Sequence, residues 1–125
     1  MDEKTQAALL TRARIFKALA HPSRLFILEQ LVKGERCVCE LTNMIGSDIS
    51  TISKHLSILK EAGVICAEKR GLQVFYRLKM PCVVRFFECV GDVIQANAKE
   101  QWDIAHPGAR HLAIGRRPED GYANG

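Results

Sequence analysis

Cysteine thiols are the side chains best suited to chemistry in this sequence of 125 residues, which has five of them. They are Cys37, Cys39, Cys66, Cys82 and Cys89. Their odd number, together with an acidic N-terminus that lacks the apolar segment of a secretory signal, argues against a disulfide framework. Clustered thiols in a reducing compartment instead indicate metal binding or redox sensing. We therefore expect a cytoplasmic protein that uses thiols for one of these purposes.

The spacing of the thiols limits which of them can share one ion. Cys82 and Cys89 are seven residues apart, so on a helix they lie on one face but about 10.5 Å apart along the axis. Because zinc–sulfur bonds are about 2.3 Å long, these two cannot easily chelate one ion while the helix stays intact. At most one of them would join Cys37 and Cys39, or the chain has two separate sites. For Cys66 and Cys89 the alternative is packing as small buried hydrophobes.

Basic side chains concentrate in one segment of the chain. The net charge of +4 is mild, but residues 50–79 alone hold six cationic side chains against two acidic ones. The rest of the chain therefore has no net charge. Such a local basic surface favours an anionic partner, such as nucleic acid.

The pattern of apolar residues predicts the elements that must position these side chains. Helices are predicted over residues 3–20, 22–33, 39–45, 49–62 and 82–102. Strands are predicted over residues 64–69 and 73–78, with Arg70, Gly71 and Leu72 at the tip of a hairpin. Residues 35–39 are expected to be a connector.

The predicted architecture is mainly α with a β-hairpin wing, an α+β winged helix-turn-helix in the order ααααββα. We expect residues 1–102 to form the domain that binds DNA and dimerises. In residues 103–125, Gly, Pro and Ala dominate and periodicity is lost, which indicates a mostly disordered tail. No apolar run approaches the ~20 residues that span a bilayer, so no membrane partner is expected.

The third and fourth predicted helices form a helix-turn-helix candidate. In the third helix, Leu41, Met44 and Ile45 would face inward. The fourth would pack through Ile49, Ile52, Leu56 and Leu59. Its opposite side presents hydroxyls and lysines, and a helix about 10–12 Å across fits the major groove of DNA. The residues predicted to enter the groove are Ser50, Thr51, Ser53 and Lys54. The wing would contact the DNA backbone or minor groove through Lys69, Arg70 and Gln73.

Several stretches of the sequence, in order, resemble the ArsR family of small winged helix-turn-helix repressors that sense metals and metalloids. The stretches are residues 16–24 (FKALAHPSR), 37–41 (CVCEL), 52–56 (ISKHL), 59–64 (LKEAGV) and 74–78 (VFYRL). The resemblance extends over about residues 12–80. It implies a homodimer paired through the first and last helices, which needs no cofactor to bind double-stranded operator DNA and which an inducer releases. His55 lies in the helix-four stretch, and we count it among the groove residues, in a structural or DNA-proximal role.

The resemblance also implies an inducer site at Cys37 and Cys39, which match the family's thiolate motif at the start of the third helix. Thiolates prefer soft ions, so As(III) is favoured and Sb(III), Cd(II), Pb(II) or Zn(II) are alternatives. In the arsenite-sensing version of the motif a third cysteine follows, where this chain has Thr42. Cys82, Cys89 or an external thiol would therefore complete the site.

Other functions remain as alternatives on the same fold. A thiol-based redox or sulfur-species sensor would oxidise a pair of cysteines instead of binding an ion. A DNA-binding module without an inducer would use the cysteines for packing only. An enzyme is not expected, because the chain has no Cys-x-x-Cys, no phosphate-binding glycine loop and no nucleophile–base motif.

Overall fold

A computed structural model describes residues 1–109 of the chain. Those residues fall into two units, residues 1–81 and a second unit that begins at Cys82. Four helices make up most of the first unit: α1 (Glu3–Leu19), α2 (Pro22–Val32), α3 (Val38–Ile45) and α4 (Ile49–Glu61). All four begin and end within two residues of the predicted positions.

Three of the helices, α1, α2 and α4, begin where a side chain accepts a hydrogen bond from the first helical turn. The carboxylates of Asp2 and Asp48 accept hydrogen bonds from the backbone N–H groups of Thr5 and Thr51, at 2.7 and 2.8 Å. At the start of α2, His21 Nδ1 accepts a hydrogen bond from the backbone N–H of Ser23 at 3.0 Å. Local sequence therefore determines where α1, α2 and α4 start.

A three-stranded antiparallel sheet completes the first unit. Its strands are β1 (Arg36–Cys37), β2 (Ile65–Arg70) and β3 (Gln73–Leu78), in the spatial order β1-β3-β2. Strands β2 and β3 form the predicted hairpin, in which Arg70 lies opposite Gln73. Gly71 has a φ of 62° in the two-residue turn between them, a conformation that glycine adopts without strain.

The core of the first unit lies between α2, α3, α4 and β2. Its fully buried side chains are Ile27, Leu28, Leu41, Ile52, Leu56, Leu59, Val64 and Ile65. Because α4 supplies three of these residues from one side, its other side must face outward.

The second unit consists, over its described part, of α5 (Val83–Ala105) followed by a 3-10 turn over Pro107–Ala109. Helix α5 leaves several large apolar side chains in contact with solvent: Val90, Val93, Ile94, Trp102 and Ile104. Helix α1 does the same with Leu9, Leu10 and Phe16. Apolar surface of this kind is typical of helices that contact another protein chain.

Three details differ from the sequence-based expectations. The expected connector contains β1, a strand of two residues that is too short to show an alternating pattern. Helix α5 runs through Ala105, three residues into the expected disordered tail, because nothing in the sequence interrupts it before Pro107. The remainder of that tail, residues 110–125, lies outside the described residues.

Two apolar side chains that were expected to face inward lie on the surface. Met44 is 44% exposed and Ile49 is 55% exposed. Both are near helix ends, Met44 at the end of α3 and Ile49 at the start of α4, where Leu41 and Ile52 already fill the adjacent core.

Candidate nucleic-acid interface and thiol sites

The outward side of α4 carries most of the residues that were predicted to enter the groove. Ser50, Thr51, Ser53 and Lys54 are all exposed. The Ser50 hydroxyl donates a hydrogen bond to Asp48 at 3.3 Å. The hydrogen bonds that Asp48 receives, foremost from Thr51, lower the pKa of its carboxyl. These four residues therefore offer hydroxyl groups and one lysine on a helix whose first turn is capped by Asp48.

His55 differs from these residues because it is half-buried. Its ring lies 4.4 Å from that of His21, and its Nδ1 is buried without a hydrogen-bond partner among the described residues. Burial, followed by the positive charges of His21 and Arg24, lowers the pKa of His55. The ring of His55 is therefore less accessible than the four exposed residues of α4, and its structural or DNA-proximal role stays a prediction.

The hairpin residues that were predicted to contact DNA differ in their surroundings. Lys69 and Gln73 are exposed, and Leu72 at the tip is fully exposed. Arg70 is exposed as well, but its guanidinium is bound by carboxylates of the same chain. Its Nη2 donates hydrogen bonds to Glu35 Oε2 at 3.0 Å and to Glu68 Oε2 at 2.8 Å.

Further contacts fix the guanidinium of Arg70. Its Nη1 also donates to Glu35, so that this pair is bidentate, and its Cζ lies 4.9 Å from the centroid of the Phe75 ring. Both carboxylates raise the pKa of Arg70. Sequence reasoning missed Glu35, which is 35 residues from Arg70 along the chain and has no distinguishing local pattern.

Cys37 and Cys39 lie together at the start of α3 but in different surroundings. Cys37 is the N-cap residue and is buried, whereas Cys39 is exposed in the first helical turn. The backbone N–H of Cys37 donates to Glu40 Oε1 at 3.2 Å. This contact is the largest cause of the lowered pKa of Glu40, to which the ion pair with Arg36 adds.

The other thiols occupy separate positions. Cys82 and Cys89 are both exposed, Cys82 as the residue before α5 and Cys89 within it. Cys66 is half-buried on β2, where Arg77 Nη2 lies 3.6 Å from its Sγ, and this contact raises the pKa of Arg77. Within residues 1–109, no three potential metal-binding side chains come together in one group.

The part of the chain that the structure describes contains no helix long and apolar enough to cross a membrane. Its combination of helix-turn-helix and β-hairpin wing defines a winged helix-turn-helix DNA-binding fold, and the proteins that share this fold and sequence are transcriptional regulators and not enzymes. Residues 21–66 match the family model described as bacterial regulatory protein, arsR family.

Relatives over most of the chain agree with that match. The arsenic resistance transcriptional regulator ArsR1 of Pseudomonas putida is 36% identical over 118 residues, which cover 92% of this chain and 88% of that protein. The repressor SmtB of Mycobacterium tuberculosis is 44% identical over 64 residues, covering 51% of this chain and 47% of that protein. The chain belongs to the ArsR family of transcriptional regulators.

Solved structures show the same fold. A homodimeric winged helix-turn-helix DNA-binding domain from Mycobacterium bovis superposes with a TM-score of 0.66 at 35% identity, over 76% of this chain and 88% of that one. The transcriptional repressor BigR from Xylella fastidiosa superposes with a TM-score of 0.58 at 33% identity, over 70% of this chain and 90% of that one.

Proposed function

We propose that this protein is a cytoplasmic homodimeric repressor that leaves its operator DNA when a thiophilic ion binds Cys37 and Cys39. As(III) is the favoured inducer, with Sb(III), Cd(II), Pb(II) and Zn(II) as alternatives. The observation that carries the proposal is the position of both thiols at the start of α3, the first helix of the helix-turn-helix.

The division of α4 supports DNA binding. Its core side is fully buried at Ile52, Leu56 and Leu59, so the helix is held rigidly while its polar side stays free. Hydroxyls and Lys54 on that side have the donors that phosphates and base edges accept. Lys69 and Gln73 would extend the contact to the wing.

The thiol pair supports a soft ion as inducer. Cys39 is exposed and accessible to an incoming ion, whereas Cys37 is buried. Binding of both thiols to one ion would therefore displace the N-terminus of α3. Two thiolates match the preference of As(III) and other soft ions. The relative from Pseudomonas putida, named for arsenic resistance, makes As(III) the first ion to test. Cys82, Cys89 or an external thiol would supply the third donor.

A homodimer is proposed because α1 and α5 both expose rows of large apolar side chains. Two half-sites one DNA turn apart require two copies of a helix-turn-helix. The homodimeric relative from Mycobacterium bovis supports this assembly.

The test is fluorescence anisotropy of the reduced protein on a labelled duplex from its own promoter, titrated with arsenite. We expect wild type to dissociate at roughly stoichiometric arsenite. The double variant Cys37→Ser/Cys39→Ser should bind DNA equally well and ignore arsenite. Cys66→Ser is the matched control and should respond like wild type. A double variant that still responds would move the inducer site to α5, at Cys82 or Cys89.

A second candidate function is a thiol-based redox or sulfur-species sensor on the same fold. The observation that favours it is the exposure of three free thiols, those of Cys39, Cys82 and Cys89. Reversal distinguishes the two functions: removal of the ion by a chelator without thiols, or by gel filtration into ion-free buffer, should restore DNA binding with no reductant present, whereas an oxidised site should need a reductant. If release instead follows an oxidant such as hydrogen peroxide, and mass spectrometry finds a reductant-sensitive modification, the second function is the correct one.

A further inference from the structure

The contacts around Arg70 point to a role for Glu35, and we infer that Glu35 is a positioning residue that competes with operator DNA for the wing cation Arg70. The inference rests on the proposed function, because it assumes that the wing contacts DNA. It also connects the wing to the segment that carries the thiols.

The charge of Arg70 is already compensated within the chain. The carboxylates of Glu35 and Glu68 both hold its guanidinium, and they also interact with the charge of Arg77. These two acidic and two basic side chains together have no net charge, so Arg70 has no uncompensated positive charge to offer a phosphate. Arg70 can neutralise a phosphate only after it leaves at least one carboxylate.

The two carboxylates that hold Arg70 belong to different parts of the chain. Glu68 is on the same strand, two residues from Arg70, and moves with the wing. Glu35 lies outside the hairpin, before β1, and binds Arg70 in a bidentate way. Glu35 therefore anchors the wing arginine to a different part of the chain, and a shift of that part changes the pair.

The segment that holds Glu35 is also connected to the thiols. Glu35 is two residues before Cys37, and Cys37 pairs with Phe75 in the sheet. The ring of Phe75 lies against the guanidinium of Arg70. Cys37 is thus connected to Arg70 in two ways, through the backbone to Glu35 and through the strand pairing to Phe75. Because the proposed inducer releases the operator, we expect ligation of the thiols to strengthen the hold of Glu35 on Arg70 and so to weaken the wing's contact with DNA.

The test is a double-mutant cycle of Glu35→Gln and Arg70→Gln, measured as operator affinity of the reduced full-length protein at several salt concentrations. Glu35→Gln should tighten binding by about two- to fivefold, the range of an exposed ion pair, and increase the salt slope by about one. In the Arg70→Gln background the same change should have no more effect than Glu29→Gln. Glu29 is an exposed carboxylate of α2 and serves as the matched control for loss of negative charge.

Glu68→Gln tests the same competition with the other carboxylate. It should also tighten operator binding, and this effect should disappear in the Arg70→Gln background. Additive effects of Glu35→Gln and Arg70→Gln, or weaker binding by Glu35→Gln, would overturn the inference. Wild type that fails to bind the operator would overturn both this inference and the proposed function.

The coupling between the thiols and Arg70 is tested separately. The measured quantity is the ratio of operator affinities without and with arsenite. Glu35→Gln should reduce this ratio by about two- to fivefold, whereas Glu29→Gln should leave it unchanged. An unchanged ratio in Glu35→Gln would overturn the coupling. A wild type that binds DNA but ignores arsenite would overturn the coupling together with the proposed inducer, while the mutant cycle would still decide the competition for Arg70.

Discussion

Lys54 and Arg70 show that two cations with the same sequence-based prediction can have different surroundings. Lys54 projects from the exposed side of α4, whereas the guanidinium of Arg70, although partly exposed, is bound by two carboxylates and lies against the Phe75 ring. A cation in an open position can neutralise a phosphate without first losing a partner. Single-residue effects on DNA binding should therefore be larger at Lys54 than at Arg70.

Replacing Lys54 by Ala should weaken operator binding and lower its salt slope by about one, because one phosphate contact is lost. The measurement is anisotropy on the promoter duplex over a range of salt concentrations. Lys4→Ala on α1 is the control and should leave the slope unchanged. An unchanged slope for Lys54→Ala would remove this lysine from the phosphate contacts.

His55 should make stability depend on pH. Burial holds its pKa in the folded chain below the ordinary histidine value of about 6.5, so the unfolded chain binds the proton more readily. The stabilising contribution of the neutral ring is complete above pH 6.5 or so and is lost progressively as the pH falls below it.

The check on His55 is the free energy of urea unfolding between pH 5 and 8, compared for wild type and His55→Phe. The aromatic replacement keeps a ring beside His21 and cannot titrate. We expect the difference between the two proteins to grow in favour of the variant as the pH falls. Parallel pH profiles would show that His55 does not contribute to this dependence.

At the scale of elements, α4 depends on its N-cap for its position and its start. Asp48 accepts the backbone N–H of Thr51 and also the hydroxyl of Ser50, so it orders the turn that carries two predicted groove residues. Asp48→Ala should lower the urea midpoint by roughly 0.5 M and weaken operator binding. Asp48→Ser keeps an acceptor at this position and should retain most of both properties. Equal losses in the two variants would argue against the cap as the cause.

Elements with strong local signals were predictable from the sequence, and weak ones were not. Helix α4 has an apolar stripe, a capping aspartate and Gly63 with a φ of 79° after its end, all of which the sequence displays. Strand β1 consists of two residues whose only ordering influence is pairing with Tyr76 and Phe75. Its existence therefore depends on a strand some 40 residues later.

At the scale of the whole molecule, the exposed apolar residues of α1 and α5 predict a dimer that a single charge can break. Ile94 is 62% exposed on α5. Ile94→Glu should shift the protein from dimer to monomer, because burial of an unpaired carboxylate is costly. The mass in solution, measured by light scattering after size-exclusion chromatography, checks this. Gln95→Glu adds the same charge one residue away and should remain dimeric; a dimeric Ile94→Glu would exclude this face of α5.

The monomeric variant should also lose most of its operator affinity, since one helix-turn-helix reads only half of a two-part site. Anisotropy on the full duplex measures this loss. Affinity equal to that of wild type would mean that one copy is sufficient for binding and that the dimer has another purpose.

The sequence by itself determined the helices, the hairpin, the polar side of α4 and the positions of the thiols along them. These features arise from periodicity, caps and turn residues, which act over a few neighbouring positions. Only the tertiary structure decided that Arg70 is bound by Glu35, that Cys37 is buried while Cys39 is open, and that His55 lies against His21. Each of these features depends on residues that are far apart in the chain and are brought together by packing of the core. No local sequence pattern encodes such contacts.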